Sequence, residues 1–115
     1  MLKHLYDNQK TPHRVVVLGA SGFVGDSAVQ HLLSSSIDVL PLSSNDIDLT
    51  SPTAATLLAT ILNQQDSLLF VSAKAPVKNN QMLIDNLKMA AAVCEALYRT
   101  PVAHLVYISS DAVYA

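Results

Sequence analysis

The 115-residue chain contains three glycines, and they stand together at positions 19, 22 and 25. They follow the apolar run Val15, Val16, Val17, Leu18 and open a segment of helical periodicity. A strand that turns directly into a helix gathers unpaired backbone N–H groups and the positive end of the helix dipole at one point, which makes an anion site suited to a diphosphate. The glycines divide the task. Gly19 lets the chain turn, Gly22 lets phosphate oxygens approach the backbone, and Gly25 lets the helix pack close to the sheet. The spacing alone would also fit a merely tight strand-to-helix turn. Its placement between a buried strand and an amphipathic helix favours a dinucleotide. A second candidate lies near the other end, in Ser109-Ser110-Asp111-Ala112-Val113-Tyr114. A hydroxyl just past the end of a strand, as at Ser110, can donate to a developing alkoxide or carbonyl oxygen; the alternative is a turn serine.

These residues need a sheet to bring them together. Residues 14–18 lack polar alternation, the pattern of a strand buried on both faces. In residues 23–33, Phe23, Val24, Ala28, Val29, Leu32 and Leu33 recur at helical spacing and leave His31 on the solvated face. A second strand is expected over 37–42, and Ser51-Pro52 reads as a helix start, a capping hydroxyl followed by proline. That helix uses Ala54, Ala55, Leu57, Leu58, Ile61 and Leu62. A third strand is expected over 67–73. A long helix over 79–98 would turn Met82, Leu83, Leu87, Ala90, Ala91, Cys94 and Leu97 inward, and a last strand spans 103–108. Strand and helix alternate throughout, which predicts an α/β fold, a Rossmann-like doubly wound parallel sheet truncated to about four strands.

Composition narrows the function classes. Half of the residues are hydrophobic, enough for one domain with a real core. A net charge of −2 with seven basic residues gives no footprint for nucleic acid or an anionic membrane. No apolar run reaches membrane-spanning length and residues 1–13, a polar lead-in, hold no secretory h-region. The single Cys94 reads as a small core residue in a reducing, cytoplasmic setting. Tyr6 and Lys10 have a Tyr-x-x-x-Lys spacing but precede the first strand, so the match reads as coincidence.

The G-x-x-G-x-x-G turn, Asp48-Leu49-Thr50-Ser51, Val71-Ser72-Ala73 and the Ser-Ser-x-x-Val-Tyr ending together resemble the extended short-chain dehydrogenase/reductase superfamily of nucleotide-sugar epimerases, dehydratases and reductases, from Arg14 onward. The resemblance implies that Gly19, Ser21, Gly22, Phe23, Val24 and Gly25 hold the cofactor. It implies that Asp48 faces the adenine amino group beside Leu49, while Ser51 departs from the family's second acid. It further implies that Ser43, Ser72 and Ala73 border the cofactor, that Asn86 is a structural asparagine, and that Ser110 binds the reacting substrate oxygen. Asp111 matches an acid of some dehydratases, but Ala112 stands where their neighbouring glutamate would be. The implied substrate is a nucleotide sugar, and family members commonly pair as dimers.

The cofactor is NAD or NADP. An acid about 20 residues past the glycine turn would hold the ribose hydroxyls. Asp38 satisfies the count but begins the second strand, whereas the contact must come from that strand's end. Ser43, Ser44 and Asn45 at that end would not repel a 2′-phosphate, although no Arg or Lys sits nearby to neutralise one, so the balance tips slightly to NADP.

The family's catalytic tyrosine and lysine do not follow Ser110. Tyr98 has Val102 four positions on, Tyr107 has Asp111, and Tyr114 has no room. The chain therefore reads as the amino-terminal part of a longer enzyme, with residues 14–115 the first portion of an NAD(P)-binding domain and no turnover of its own. A last strand with an unpaired edge would invite self-association. Two classes stay open: the cofactor-binding portion of a nucleotide-sugar oxidoreductase or epimerase, and a non-catalytic dinucleotide-binding or sensor module of the same superfamily.

Overall fold

The computed structural model describes residues 12–71 and 78–108. The elements run β1 (Arg14–Leu18), α1 (Phe23–Ser34), β2 (Val39–Leu42), α2 (Ala54–Ile61), β3 (Asp66–Phe70), α3 (Asn80–Arg99) and β4 (His104–Tyr107). All strands are parallel, in the order β2-β1-β3-β4. The expected α/β, Rossmann-like four-stranded sheet is therefore the observed one.

β1 is the centre of the molecule because both of its neighbours pair with it and both of its faces are covered. Val16 and Leu18 face a core built with Leu58, Leu68, Phe70, Val93 and Ala96, beneath α2 and α3. Val15 and Val17 face the other way, onto Val29 of α1. Alternate side chains of a strand point to opposite faces, so a strand with helices on both sides must be apolar at every position. Each fully buried Val or Leu side chain contributes about 1.5–3 kcal/mol. β2 is an edge strand, and it carries Pro41 opposite Val17, where a missing N–H can be tolerated. β4 forms the other edge, and all four of its residues are exposed.

Several boundaries differ from the sequence-based expectation. α2 begins at Ala54 with Thr53 at its N-cap, two residues beyond Pro52. Ser51 accepts instead from the Thr53 N–H (3.3 Å), so its hydroxyl holds a turn ahead of the helix. β2 begins at Val39, not at position 37.

The inward face of α3 also differs. Ala92, Val93 and Ala96 are buried, with Met89 and Leu97 packed against the same core, whereas Leu83, Leu87 and Cys94 are exposed. The helix carries two apolar stripes, and periodicity cannot say which of them meets the sheet. Cys94 is accordingly a surface thiol and not the core residue expected. Phe23 and Val24, expected on the inward face of α1, are likewise exposed, Phe23 at 92%. They sit in the first turn, beyond the reach of the sheet, and α1 packs through Gly25 and Val29.

At the amino end of the sheet, Arg14 and Asp66 begin adjacent strands and form a two-pronged ion pair. The guanidinium donates from Nε to Oδ1 (2.9 Å) and from Nη2 to Oδ2 (2.6 Å). Nη2 also reaches the Ile61 carbonyl, and Asp66 Oδ2 accepts the Asn63 N–H. The hydrogen bond to Asp66 holds the Arg14 guanidinium above its ordinary pKa against the opposing effect of burial. Asp66 is fully buried, and stranding such a charge by removing its partner costs about 3–5 kcal/mol.

Candidate functional site

The carboxyl end of β1 is built differently. Gly19 leaves the strand at φ 92°, a conformation that side chains disfavour. The N–H groups of Gly19 and Ala20 both donate to the Leu42 carbonyl at the end of β2, which pins the turn to the neighbouring strand. The Gly22 N–H donates to the Gly19 carbonyl (3.2 Å), and α1 starts immediately with Gly22 as its N-cap.

The glycines at 22 and 25 meet opposite surroundings. A Cβ on Gly25 would be driven into the Gly19 carbonyl, lying 2.8 Å from its carbon and 3.1 Å from Ala20 Cα. Backbone on backbone cannot yield, so Gly25 is required for α1 to pack on the turn. A Cβ on Gly22 would meet only the Gly19 carbonyl oxygen, at an ordinary 3.5 Å. Gly22 has an unremarkable φ of −74°. The protein has room for a side chain there and does not use it. Because Gly22 has none, the first turn of α1 also has no side-chain cap, and its orphan N–H groups face outward.

Gly22 opens onto a cavity of about 590 Å³, within the range of small-molecule and cofactor sites. Of the residues expected to bind a cofactor, Gly19, Ser21, Gly22, Ser43, Asp48 and Leu49 line it. Phe23, Val24 and Gly25 do not; the first two are exposed beside the turn and Gly25 lies beneath it. Ser72, Ala73 and Ser110 lie outside the described residues, as do Ser109, Asp111 and Tyr114. Val71, the last described residue before Ser72, lines the cavity and is tied to β1 through its N–H and the Leu18 carbonyl (2.9 Å). Asn86 is half-buried on α3.

The rest of the rim follows from the chain leaving β2. Asp46 Oδ2 accepts the Ser43 N–H (2.8 Å) and hydroxyl (3.1 Å). Asp48 Oδ1 accepts the Thr50 N–H (3.0 Å) and hydroxyl (2.6 Å). These two turns aim Ile47 and Leu49 into the core and leave Ser43, Ser44, Asp48 and Thr50 around the cavity. Sequence reasoning missed Ser44, Thr50 and Met89 as lining residues. It also missed the fold-back of Asp46 onto Ser43, for which an acid three residues after a serine at a strand end was the available signal. The lining holds no lysine or arginine. Among the described residues there is no cluster of His, Cys, Asp or Glu able to hold a metal ion. No described helix is long and apolar enough to cross a membrane.

Three solved structures share this fold. A GDP-mannoheptose C4 reductase from Campylobacter jejuni with NADP bound is similar over 87% of this chain and 31% of its own, at 15% identity and a TM-score of 0.72. A GDP-L-fucose synthetase from Naegleria fowleri bound to NADP is similar over 93% of this chain and 35% of its own, at 16% identity and a TM-score of 0.71. A UDP-N-acetylglucosamine 4-epimerase from Bacillus cereus is similar over 84% of this chain and 39% of its own, at 21% identity and a TM-score of 0.66. The chain thus spans 31–39% of the length of these three structures. No curated protein sequence gives a significant match. The family model described as "NAD dependent epimerase/dehydratase family" matches residues 15–115. With the strand order, the three-glycine turn and the cavity at the carboxyl ends of the strands all in agreement, the chain belongs to the NAD dependent epimerase/dehydratase family.

Proposed function

We propose that this chain binds a nicotinamide dinucleotide across the carboxyl ends of β1 and β2, with the diphosphate at the start of α1. The observation that carries the reading is Gly22, a glycine that no neighbouring protein atom requires, at the mouth of a cavity and at an uncapped helix start. A diphosphate accounts for both features at once. Its oxygens would occupy the space a Cβ would fill, and they would accept from the N–H groups that lack a side-chain cap. Ser21 and Gly22 would contact the diphosphate, Ser43 the adenosine ribose, and Asp48 and Leu49 the adenine. Bound there, the nicotinamide would supply hydride exchange. The residues of this chain bind and orient the dinucleotide.

The substrate class follows from the neighbours, whose names describe a reductase of a GDP-linked sugar, a GDP-fucose synthetase and a UDP-sugar epimerase. On that basis a nucleotide sugar is the substrate of the whole protein, with residues 14–115 contributing the first portion of the cofactor domain and Ser110 a hydrogen bond to the reacting oxygen. No Tyr-x-x-x-Lys pair follows Ser110 in these residues. That supports a chain that binds without turning over, and it equally suits a binding or sensor module. The fold, the homodimers common in the superfamily and the cytoplasmic setting expected from the single cysteine are compatible with either.

The test is a titration of the 115-residue chain with NADH and with NADPH, followed by nicotinamide fluorescence, alongside a turnover assay on nucleotide sugars. Saturable binding with no turnover is expected. Absence of binding by both dinucleotides overturns the reading, and turnover overturns the assignment as a binding portion only.

A further inference from the structure

Resting on the dinucleotide reading above, we infer that Asp46, acting through Ser43, makes the adenosine ribose site select a free 2′-hydroxyl, so that the chain prefers NAD over NADP. The sequence points weakly the other way, because Ser43, Ser44 and Asn45 carry no charge that would repel a 2′-phosphate. The structure changes the inventory of donors. A ribose 2′-hydroxyl needs an acceptor, whereas a 2′-phosphate needs donors or a cation.

Ser43, which ends the run out of β2 and lines the cavity, has both of its donors occupied. Its N–H lies 2.8 Å from Asp46 Oδ2 and its hydroxyl 3.1 Å from the same oxygen. The Ser43 oxygen accepts the Asn45 N–H (3.3 Å) and keeps a second lone pair. Ser43 therefore faces the cavity as an acceptor backed by a carboxylate, which suits a hydroxyl and disfavours a phosphate. Ser44 is the one hydroxyl beside it that could still donate. The cavity lining adds Asp48 and contributes no lysine or arginine to offset these carboxylates. The two NADP-bound neighbours are 15% and 16% identical to this chain, too distant to carry a rim residue across.

Asp46 does not line the cavity and is a positioning residue, so its effect should appear in selectivity and not in binding as such. One carboxylate at about 6 Å from a dianionic phosphate in a water-like medium gives a discrimination of about tenfold.

The test measures dissociation constants of NAD and NADP, and of ADP-ribose and its 2′-phosphate, for the 115-residue chain and for Asp46→Asn and Asp46→Glu. Asparagine keeps an acceptor for the Ser43 N–H and removes the charge. Circular dichroism and thermal melting confirm that each variant is folded. The expected result is NAD binding about tenfold tighter than NADP in the unaltered chain, a ratio that falls about tenfold in Asp46→Asn and is retained in Asp46→Glu. Equal or tighter NADP binding by the unaltered chain overturns this inference and leaves the dinucleotide site standing. So does a ratio that Asp46→Asn leaves unchanged, or an Asp46→Asn chain that fails to fold while Asp46→Glu loses the preference. Absence of saturable binding by all four ligands overturns the dinucleotide reading, and this inference with it.

Discussion

The starts of α1 and α3 answer the same physical need in opposite ways. Every helix begins with N–H groups that have no partner within the helix. At α3, Asn79 adopts an extended backbone and its side chain accepts the Met82 N–H at 2.8 Å, so the helix closes its own end. At α1 the equivalent position is Gly22, which closes nothing. Asn and Asp are among the best capping residues and glycine trails them, so α1 forgoes a stabilising contact that α3 takes. Only the open start faces the cavity lined by Gly19, Ser21 and Gly22. The difference teaches that an uncapped helix start beside a cavity marks where a ligand is expected, and a self-capped one marks where the chain stabilises itself.

The comparison breaks most severely if α1 is moved off the turn. Gly25→Ala would press a methyl group onto the Gly19 carbonyl and the Ala20 backbone, and neither can rotate away as a side chain could. Overpacking of this kind costs about 3 kcal/mol or more. The expected outcome is a large fall in the urea midpoint, with dinucleotide binding lost in parallel. An unchanged midpoint would mean that the close approach of α1 to the turn is not what the glycine provides.

Gly22→Ser turns the open start into the closed kind. The added hydroxyl can accept an orphan N–H of α1, and the new Cβ has only an ordinary 3.5 Å contact to meet. Stability should be unchanged or higher by a few tenths of a kcal/mol. NADH affinity should fall at least about tenfold, on the order of one displaced charge-assisted hydrogen bond. Melting and fluorescence titration on one sample separate the two effects. Undiminished affinity would sink the assignment of the diphosphate to this point.

Much of this was legible in residue order. β1 had to be a two-faced buried strand because Val15, Val16, Val17 and Leu18 leave no polar side, and all four are buried. The glycine positions located the turn, and the alternation of elements gave the sheet. What escaped depends on information that periodicity does not hold. The helix α3 carries apolar residues on two stripes, and only the sheet decides that Ala92, Val93 and Ala96 face in while Leu83 and Leu87 face out. The Arg14–Asp66 pair joins residues 52 apart because their strands start side by side. The turn after α1 places Ser36 at φ 60°, a conformation usually left to glycine, so the concentration of glycines at 19–25 does not mean that other turns had no use for one. At the rim, Asp46 was readable as a residue type but not as a partner of Ser43, since a side chain folding back three residues leaves no periodic trace.

Asn79→Ala is the smallest and most discriminating change, because it makes α3 resemble α1 in lacking a cap while touching nothing that lines the cavity. Loss of the Asn79 side chain strands the Met82 N–H at the start of a 20-residue helix. A lost cap of this type costs about 1 kcal/mol, which lowers the melting temperature of a domain this size by about 4–8 °C. Dinucleotide affinity should stay within about twofold of the unaltered chain, because water can solvate an exposed N–H on the folded helix. The paired outcome is what matters: Asn79→Ala should lose stability and keep binding, whereas Gly22→Ser should keep stability and lose binding. If Asn79→Ala also weakened binding by tenfold, the start of α3 would have to act on the cavity. The two helix starts could then no longer be assigned separate tasks.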